Sequence, residues 1–202
     1  MSERVATRSV LLELREERSS MREGFTFLDE KCLLLAGALL RELSRYDALW
    51  RELNELIADA DETLRAALGR HGLEGLAIYP LAQDRAEPGW VLNIEHRSVM
   101  GVPLLDASSK LTPPAVAEPL LRTPEADACA IAHAILLRKA TELAAAGANL
   151  ERLLHEYRRT SRRARALDGV LLPELDHDVD EMTLMFEEQE REESILMRPR
   201  GR

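Results

Sequence analysis

Apolar residues recur every three or four positions through the first third of the chain, at Leu28, Cys32, Leu35, Leu39, Leu43, Tyr46, Trp50, Leu53, Ile57, Ala60 and Leu64. That spacing keeps one face of an α-helix apolar over many turns. No proline lies between Val5 and Leu68 to interrupt it. The pattern predicts a single helix reaching roughly 90 Å at 1.5 Å per residue, longer than a compact domain usually contains. Two successive four-residue steps, Leu35–Leu39–Leu43, form a stutter that relaxes a left-handed supercoil locally. Gly69, Gly72 and Gly75 then act as stop signals.

A second long pattern occupies the last third. Thr123 suits a helix N-cap, Pro124 the first helical position, and Glu125 and Asp127 the positive end of the helix dipole. Beyond them Leu136, Leu143, Leu150, Tyr157, Ala164 and Leu171 fall seven apart, a heptad seam that is weak at Ala164. Ala146, Leu153 and Leu167 share the second seam position, which Thr160 interrupts. Another stutter, Leu167–Leu171–Leu175, has Pro173 inside it, and Val179, Met182, Phe186 and Gln189 resume the pattern beyond. An interior proline removes a backbone hydrogen bond and costs about 3 kcal/mol, so a bend or loosened turn is expected at Gly169–Pro173.

The middle of the chain follows a different rhythm. GLAIYPL and WVLNIEH read as short strands, with Pro80 favouring an edge position. AQDRAEPG between them contains Asp84, Pro88 and Gly89, turn residues that suggest a hairpin. SVMGVPLLD follows, and a segment with Pro113, Pro114, Pro119 and Pro124 reads as a surface loop.

The expected fold is therefore dominated by α-helix. Two long helices, one in 1–68 and one in 124–202 that runs to about Leu196 and leaves a short tail, pair as an antiparallel coiled coil, and a small base region, 69–123, carries a short β-hairpin and a proline-rich loop. Residues whose numbers sum to roughly 195 then lie at one level, within a turn or two. This register sets Asp29 and Glu30 beside Arg163 and Arg165, where ion pairs are expected, and Gly24 opposite Gly169. It separates Cys32 from Cys129 by some 50 Å of helix rise, so no disulfide is expected between them.

Composition agrees with a thin, helical core. The 202 residues are 46% hydrophobic but only 4% aromatic, with 31% charged. The net charge of −9 argues against a chain that binds nucleic acid as a whole. No apolar run is long enough for a membrane span, and MSERVATRSV lacks the apolar core of a signal peptide, so a cytoplasmic protein without direct membrane insertion is expected.

Candidate chemistry is sparse. There is no GxxxxGK[ST] phosphate loop and no GxSxG elbow. His133 and His155 stand singly on helices, and Asp176–Glu181 reads as a solvated helix face. Arg158, Arg159, Arg162, Arg163 and Arg165 form a basic cluster. It suits a salt-bridged coiled-coil face, the acidic wall of a protein partner, or nucleic acid; the last is weakened because Tyr157 is the only aromatic nearby. On the residues alone, a coiled-coil adaptor or a nucleic-acid-binding module using this cluster stays open.

Three segments, in order, resemble the D subunit of the V-type (V/A-type) ATPases and ATP synthases. RRARALDGVLLPEL followed by EMTLMFEEQEREE is similar to the family's C-terminal helix, through Arg162, Arg163, Ala166, Leu167, Asp168, Pro173 and Leu175; Arg165 replaces the usual Asn. The N-terminal stretch matches at Thr7, Arg8, Gly24, Leu28 and Lys31, while Asp29 and Cys32 replace usual basic residues. Met100, Gly101 and Val102 match the family's Met-Gly-Val step. The resemblance implies a central rotor shaft, peripheral to the membrane, with no catalytic residue, cofactor or metal of its own. It implies as partners the catalytic A and B subunits, the rotor's F subunit and the funnel subunit above the c-ring. Rotation then couples ATP synthesis or hydrolysis to proton or sodium transport. Thr7, Arg8, Gly24, Leu28, Lys31, Met100, Gly101, Val102, Arg162, Arg163, Leu167 and Pro173 become the candidate interface residues.

Overall fold

The structure is a computed structural model that describes residues 7–77, 90–111 and 123–196. Helix α1 spans Arg8–Ala77, strands β1 and β2 span Trp90–Val99 and Val102–Leu111, and helices α2 and α3 span Pro124–Ala166 and Leu172–Leu196. A π-helical turn, Leu167–Leu171, lies between α2 and α3. Helix α1 opens at Thr7: the Thr7 hydroxyl accepts the Val10 N–H at 3.4 Å, and the Thr7 carbonyl accepts the Leu11 N–H at 3.1 Å. The Thr123 carbonyl accepts the Asp127 N–H at 3.1 Å, which starts α2 at Pro124. Gly69 does not stop α1. The break comes at Gly72, whose φ of 65° and ψ of 174° kink the helix before it continues to Ala77.

The chain forms two compact units, residues 35–156 and residues 1–34 with 157–202. In the first, α1 packs antiparallel on α2. Leu49 and Leu53 meet Leu143 and Ala146, flanked by Tyr46, Leu136 and Ala140. Ion pairs Glu52–Lys139 at 2.9 Å and Arg70–Glu125 at 3.1 Å follow the anticipated register. The buried stripe is not the expected one throughout. Leu43, Trp50 and Ile57 are more than two-fifths exposed, whereas Leu35, Glu42 and Leu49, seven apart, are buried. Leu53 and Ala60 keep their expected buried places; between them and Leu35 the shift puts Glu42 against the hairpin residue Arg97 and Leu49 against α2.

In the second unit the start of α1 packs on α3. Leu14, Val179 and Met182 form its core, with Val10, Leu11, Leu175 and Phe186 around them. Arg18 and Arg22 reach Asp176 at 3.4 and 3.0 Å, and Arg8 reaches Glu190 at 2.9 Å. The π turn is the loosened turn anticipated near Pro173. The Leu172 N–H bonds to the Leu167 carbonyl, five residues back rather than four. Its wider turn relieves the clash that the Pro173 ring would have in a regular helix. It also adds one residue to the seam. After Ala164 the next buried position is Leu172 rather than Leu171, which is 41% exposed, and Val179 follows seven later. The expected heptad at Leu171 is thus corrected by one step. Thr160, anticipated as an interruption, is buried within the seam. Gly24 does not face Gly169. A Cβ at Gly24 would lie 3.9 Å from Leu167 Cδ2, while Gly169 has open space beside it.

Candidate functional site

The most elaborate assembly of side chains holds the hairpin to the helices of the first unit. The hairpin itself is not built as expected. Residues 75–77, the start of the anticipated first strand, end α1, and the rest of that strand and its turn, including Pro80, Asp84, Pro88 and Gly89, lie outside the described residues. WVLNIEH instead pairs with the strand that follows it: Val99 faces Val102, Arg97 faces Leu104, and the antiparallel register runs to Trp90 and Leu111. Met100 and Gly101 make the two-residue turn, with φ of 50° and 82°. Positive φ at both positions is the type I′ geometry that matches the twist of paired strands. Pro113, Pro114 and Pro119 of the expected loop also lie outside the described residues.

One edge of β2 is satisfied by side chains from α2. In a two-residue hairpin Val99–Val102 is a hydrogen-bonded pair, so Pro103 and Leu105 turn their backbone groups away from β1. Asn149, fully buried, imitates a neighbouring strand there. Its Oδ1 accepts the Leu105 N–H at 2.7 Å, and its Nδ2 donates to the Leu105 carbonyl at 2.7 Å. Arg152 donates to the Pro103 carbonyl at 3.2 Å, and Pro103 has no N–H to satisfy. Asn149 Nδ2 also donates to Glu42 Oε1 at 3.1 Å.

Glu42 is buried, and a charge there is sustained only with partners. Arg97 donates from β1 to Glu42 Oε2 at 2.9 Å and to Asp106 Oδ2 at 2.9 Å, while Arg45 reaches Asp106 at 2.7 Å and Glu42 at 3.6 Å. Two arginines thus alternate with two carboxylates between α1 and the hairpin. The hydrogen bond from Arg45, and then the charges of Arg97 and Arg45, hold the Asp106 carboxyl below the usual carboxylate range. A depressed folded-state pKa contributes stability that is present above the unfolded value and is lost as pH falls through the folded one. Hairpin docking is therefore expected to hold at neutral pH and weaken at acid pH, below the ordinary Asp range. Amide exchange of β2 followed from neutral to strongly acidic pH checks this. An Asp106→Asn variant should show a smaller loss with acid, from a lower starting stability.

The sequence-derived candidates fall in several places. Met100, Gly101 and Val102 come together at the hairpin tip, with Val102 buried and Met100 exposed. An open groove of about 470 Å³ beside them is lined by Pro103, Glu151, Arg152 and His155. Thr7 and Arg8 begin α1, and Gly24 meets Leu167. Leu28 and Lys31 are half-buried, and Pro173 is exposed just after the π turn. Cys32 and Cys129 are free thiols. Burial, then the neighbouring Asp29, pushes the Cys32 thiol up. Arg162 and Arg163, with Arg158, Arg159 and Arg165, are exposed. The anticipated ion pairs with Asp29 and Glu30 are absent among the described residues; Arg18 and Arg22, on the same helix as those acids, pair with Asp176 instead. Asp176 thus belongs to an ion-pair network rather than to a merely solvated face. Among the described residues no helix is long and apolar enough to cross a membrane.

Comparison with known proteins accords with this arrangement. The family model for the ATP synthase D subunit matches residues 10–198. The V-type ATP synthase D subunit of Anaeromyxobacter dehalogenans strain 2CP-C is 30% identical, across 98% of this chain and 95% of its own length. The A-type ATP synthase D subunit of Thermococcus sibiricus is 31% identical, across 92% and 87%. That of Thermococcus gammatolerans is 32% identical over the same shares. With the match running from the first turn of α1 to the end of α3, the chain belongs to the family of ATP synthase D subunits.

Proposed function

We propose that this chain is the central-stalk rotor subunit of a V/A-type ATPase or ATP synthase, a non-catalytic part that carries torque between a ring of A and B subunits and an ion-translocating membrane rotor. Family membership over nearly the whole chain carries the reading. The packing supports it. Helix α1 is paired antiparallel with α2 in one unit and with α3 in the other, and both pairings bury apolar seams. Twisting such helices apart exposes the seams to water, so the pair resists unwinding under load. A rotor acts on equivalent catalytic sites only by touching them differently as it turns. The open arginines, Arg158 to Arg165, offer one distinctive face for an acidic wall of the surrounding ring. The F subunit and the funnel subunit complete the rotor, and Thr7, Arg8, Gly24, Leu28, Lys31, Met100–Val102, Leu167 and Pro173 are the proposed contact positions. Coupling moves protons or sodium ions.

The test is to purify the tagged chain from its own cell and to measure ATP hydrolysis and ion movement in the complex with and without it. Co-purification of A and B subunits, and loss of ion movement when the chain is omitted, are expected. Full coupling without the chain sinks the reading. In the assembled complex, Arg162→Glu with Arg163→Glu is expected to lower the ions moved per ATP several-fold while leaving the isolated chain folded.

A further inference from the structure

The two edges of the hairpin are treated very differently. The outer edge of β2 is met at Pro103 and Leu105 by Asn149 and Arg152. Among the described residues nothing pairs with the outer edge of β1. By the same alternation, Leu92, Ile94, His96 and Ser98 point their N–H and C=O groups away from β2. Among the described residues the sheet has two strands, and no side chain bonds to these groups. Nine of the ten β1 residues are exposed. Alternate side chains on its outer face are apolar, with Trp90 and Leu92 each 41% and Ile94 47% exposed. Long, apolar, unpaired edges are rare in free proteins, which blunt them with charge, proline or a bulge, and β1 has no proline and no bulge in its register.

One charge on the strand points to the occupant. Glu95 faces Asp106 across the hairpin. Asp106 is neutralised by Arg45 and Arg97, whereas Glu95 has no ion pair among the described residues. Opposite charges on neighbouring strands attract, so a cation on the other side of Glu95 would supply the partner that it lacks. We propose that β1 is a strand-addition site. It takes an extended segment of another subunit of the same complex, one with alternating apolar side chains and a lysine or arginine placed against Glu95. A second copy of this chain fits less well, because antiparallel pairing centred on Glu95 would set the two carboxylates against each other. Backbone bonds would supply the affinity and the apolar alternation the register.

The proposal rests on the rotor reading, and the experiment separates the two. Amide exchange is measured on the full chain alone and within the complex purified with its ATP synthase subunits. Alone, the amides of Leu92, Ile94, His96 and Ser98 should exchange fast while those of Val91, Asn93, Glu95 and Arg97 are protected by the hairpin. In the complex the outward set should slow at least about tenfold. Ile94→Pro removes only an outward N–H, so the hairpin ladder persists while affinity for the complex falls at least tenfold; Ile94→Val should restore it. Glu95→Lys should weaken binding several-fold, most at low salt. If the complex forms and the outward amides stay fast, the strand-addition site is wrong and the rotor reading survives. If no ATP synthase subunit joins the chain, both fall. Protection in the isolated chain, rising with its concentration, identifies a second copy as the occupant and overturns the proposal.

Discussion

Replacing Asn149 with leucine is expected to loosen the hairpin from the helices at a cost of about 3 kcal/mol, since each buried group left unsatisfied costs roughly 1–3 kcal/mol. Leucine has the same branched outline as asparagine and is somewhat larger, so no cavity forms. What is lost is three hydrogen bonds: the two that satisfy Leu105 and the one that reaches Glu42. Asn149→Asp should be worse. The carboxylate can still accept the Leu105 N–H, but it puts a second negative charge 3.1 Å from Glu42 and leaves the Leu105 carbonyl without a donor. Denaturant unfolding gives the size of the effect, and amide exchange at Leu105 gives its place. Glu42→Gln in the Asn149→Asp background should recover part of the loss, because it removes the repulsion. If Asn149→Leu changes stability by less than about 0.5 kcal/mol and leaves the Leu105 amide protected, the hairpin is anchored elsewhere.

This network was only faintly legible in the sequence. The long helices were plain, because three-four periodicity is a local property, and so were Thr123 as a start and the loosened turn before Pro173. The register followed from the helix lengths, and Glu52–Lys139 and Arg70–Glu125 fall where it puts them. What escaped depends on contacts between distant segments. Leu35, Glu42 and Leu49 are seven apart, but a glutamate inside a leucine stripe invites the choice of Leu43 instead. A buried polar residue at a seam position is a known device for fixing register, and Glu42 with Asn149 carried that signal. The pairing of β1 with β2 escaped because AQDRAEPG, rich in turn residues, drew the expected turn to itself. Met-Gly is an unusual type I′ pair, since the first position favours Asn, Asp or Gly. The shift from Leu171 to Leu172 was hidden for a different reason. A π turn inserts one residue into the count, and periodicity alone reads the insertion as a stutter.

Leu14→Ala is expected to destabilise the second unit by about 2–5 kcal/mol, the range for emptying a leucine site in a packed core. Leu14 is 2% exposed and packs with Val179 and Met182. Its neighbours are few, because two paired helices share a narrow seam, so no second layer can move in to fill the gap. Leu12, two residues away and 59% exposed, is the internal control; Leu12→Ala should change stability by less than about 0.5 kcal/mol. The two positions separate seam packing from helix propensity, since both substitutions replace leucine by the better helix former. Amide exchange should show the loss concentrated in α3 around Val179 and Met182, with the Asn149–Leu105 contacts of the first unit still protected, because the two sites share no partner. Restoring volume from the other helix, with Val179→Leu in the Leu14→Ala background, should recover part of the stability. Equal effects at Leu12 and Leu14 would mean that this end of the helix pair is held by its ion pairs, Arg8–Glu190 and Arg18 and Arg22 with Asp176, rather than by its seam. In that case raising the salt concentration would separate the helices, whereas a seam held by apolar burial tolerates it.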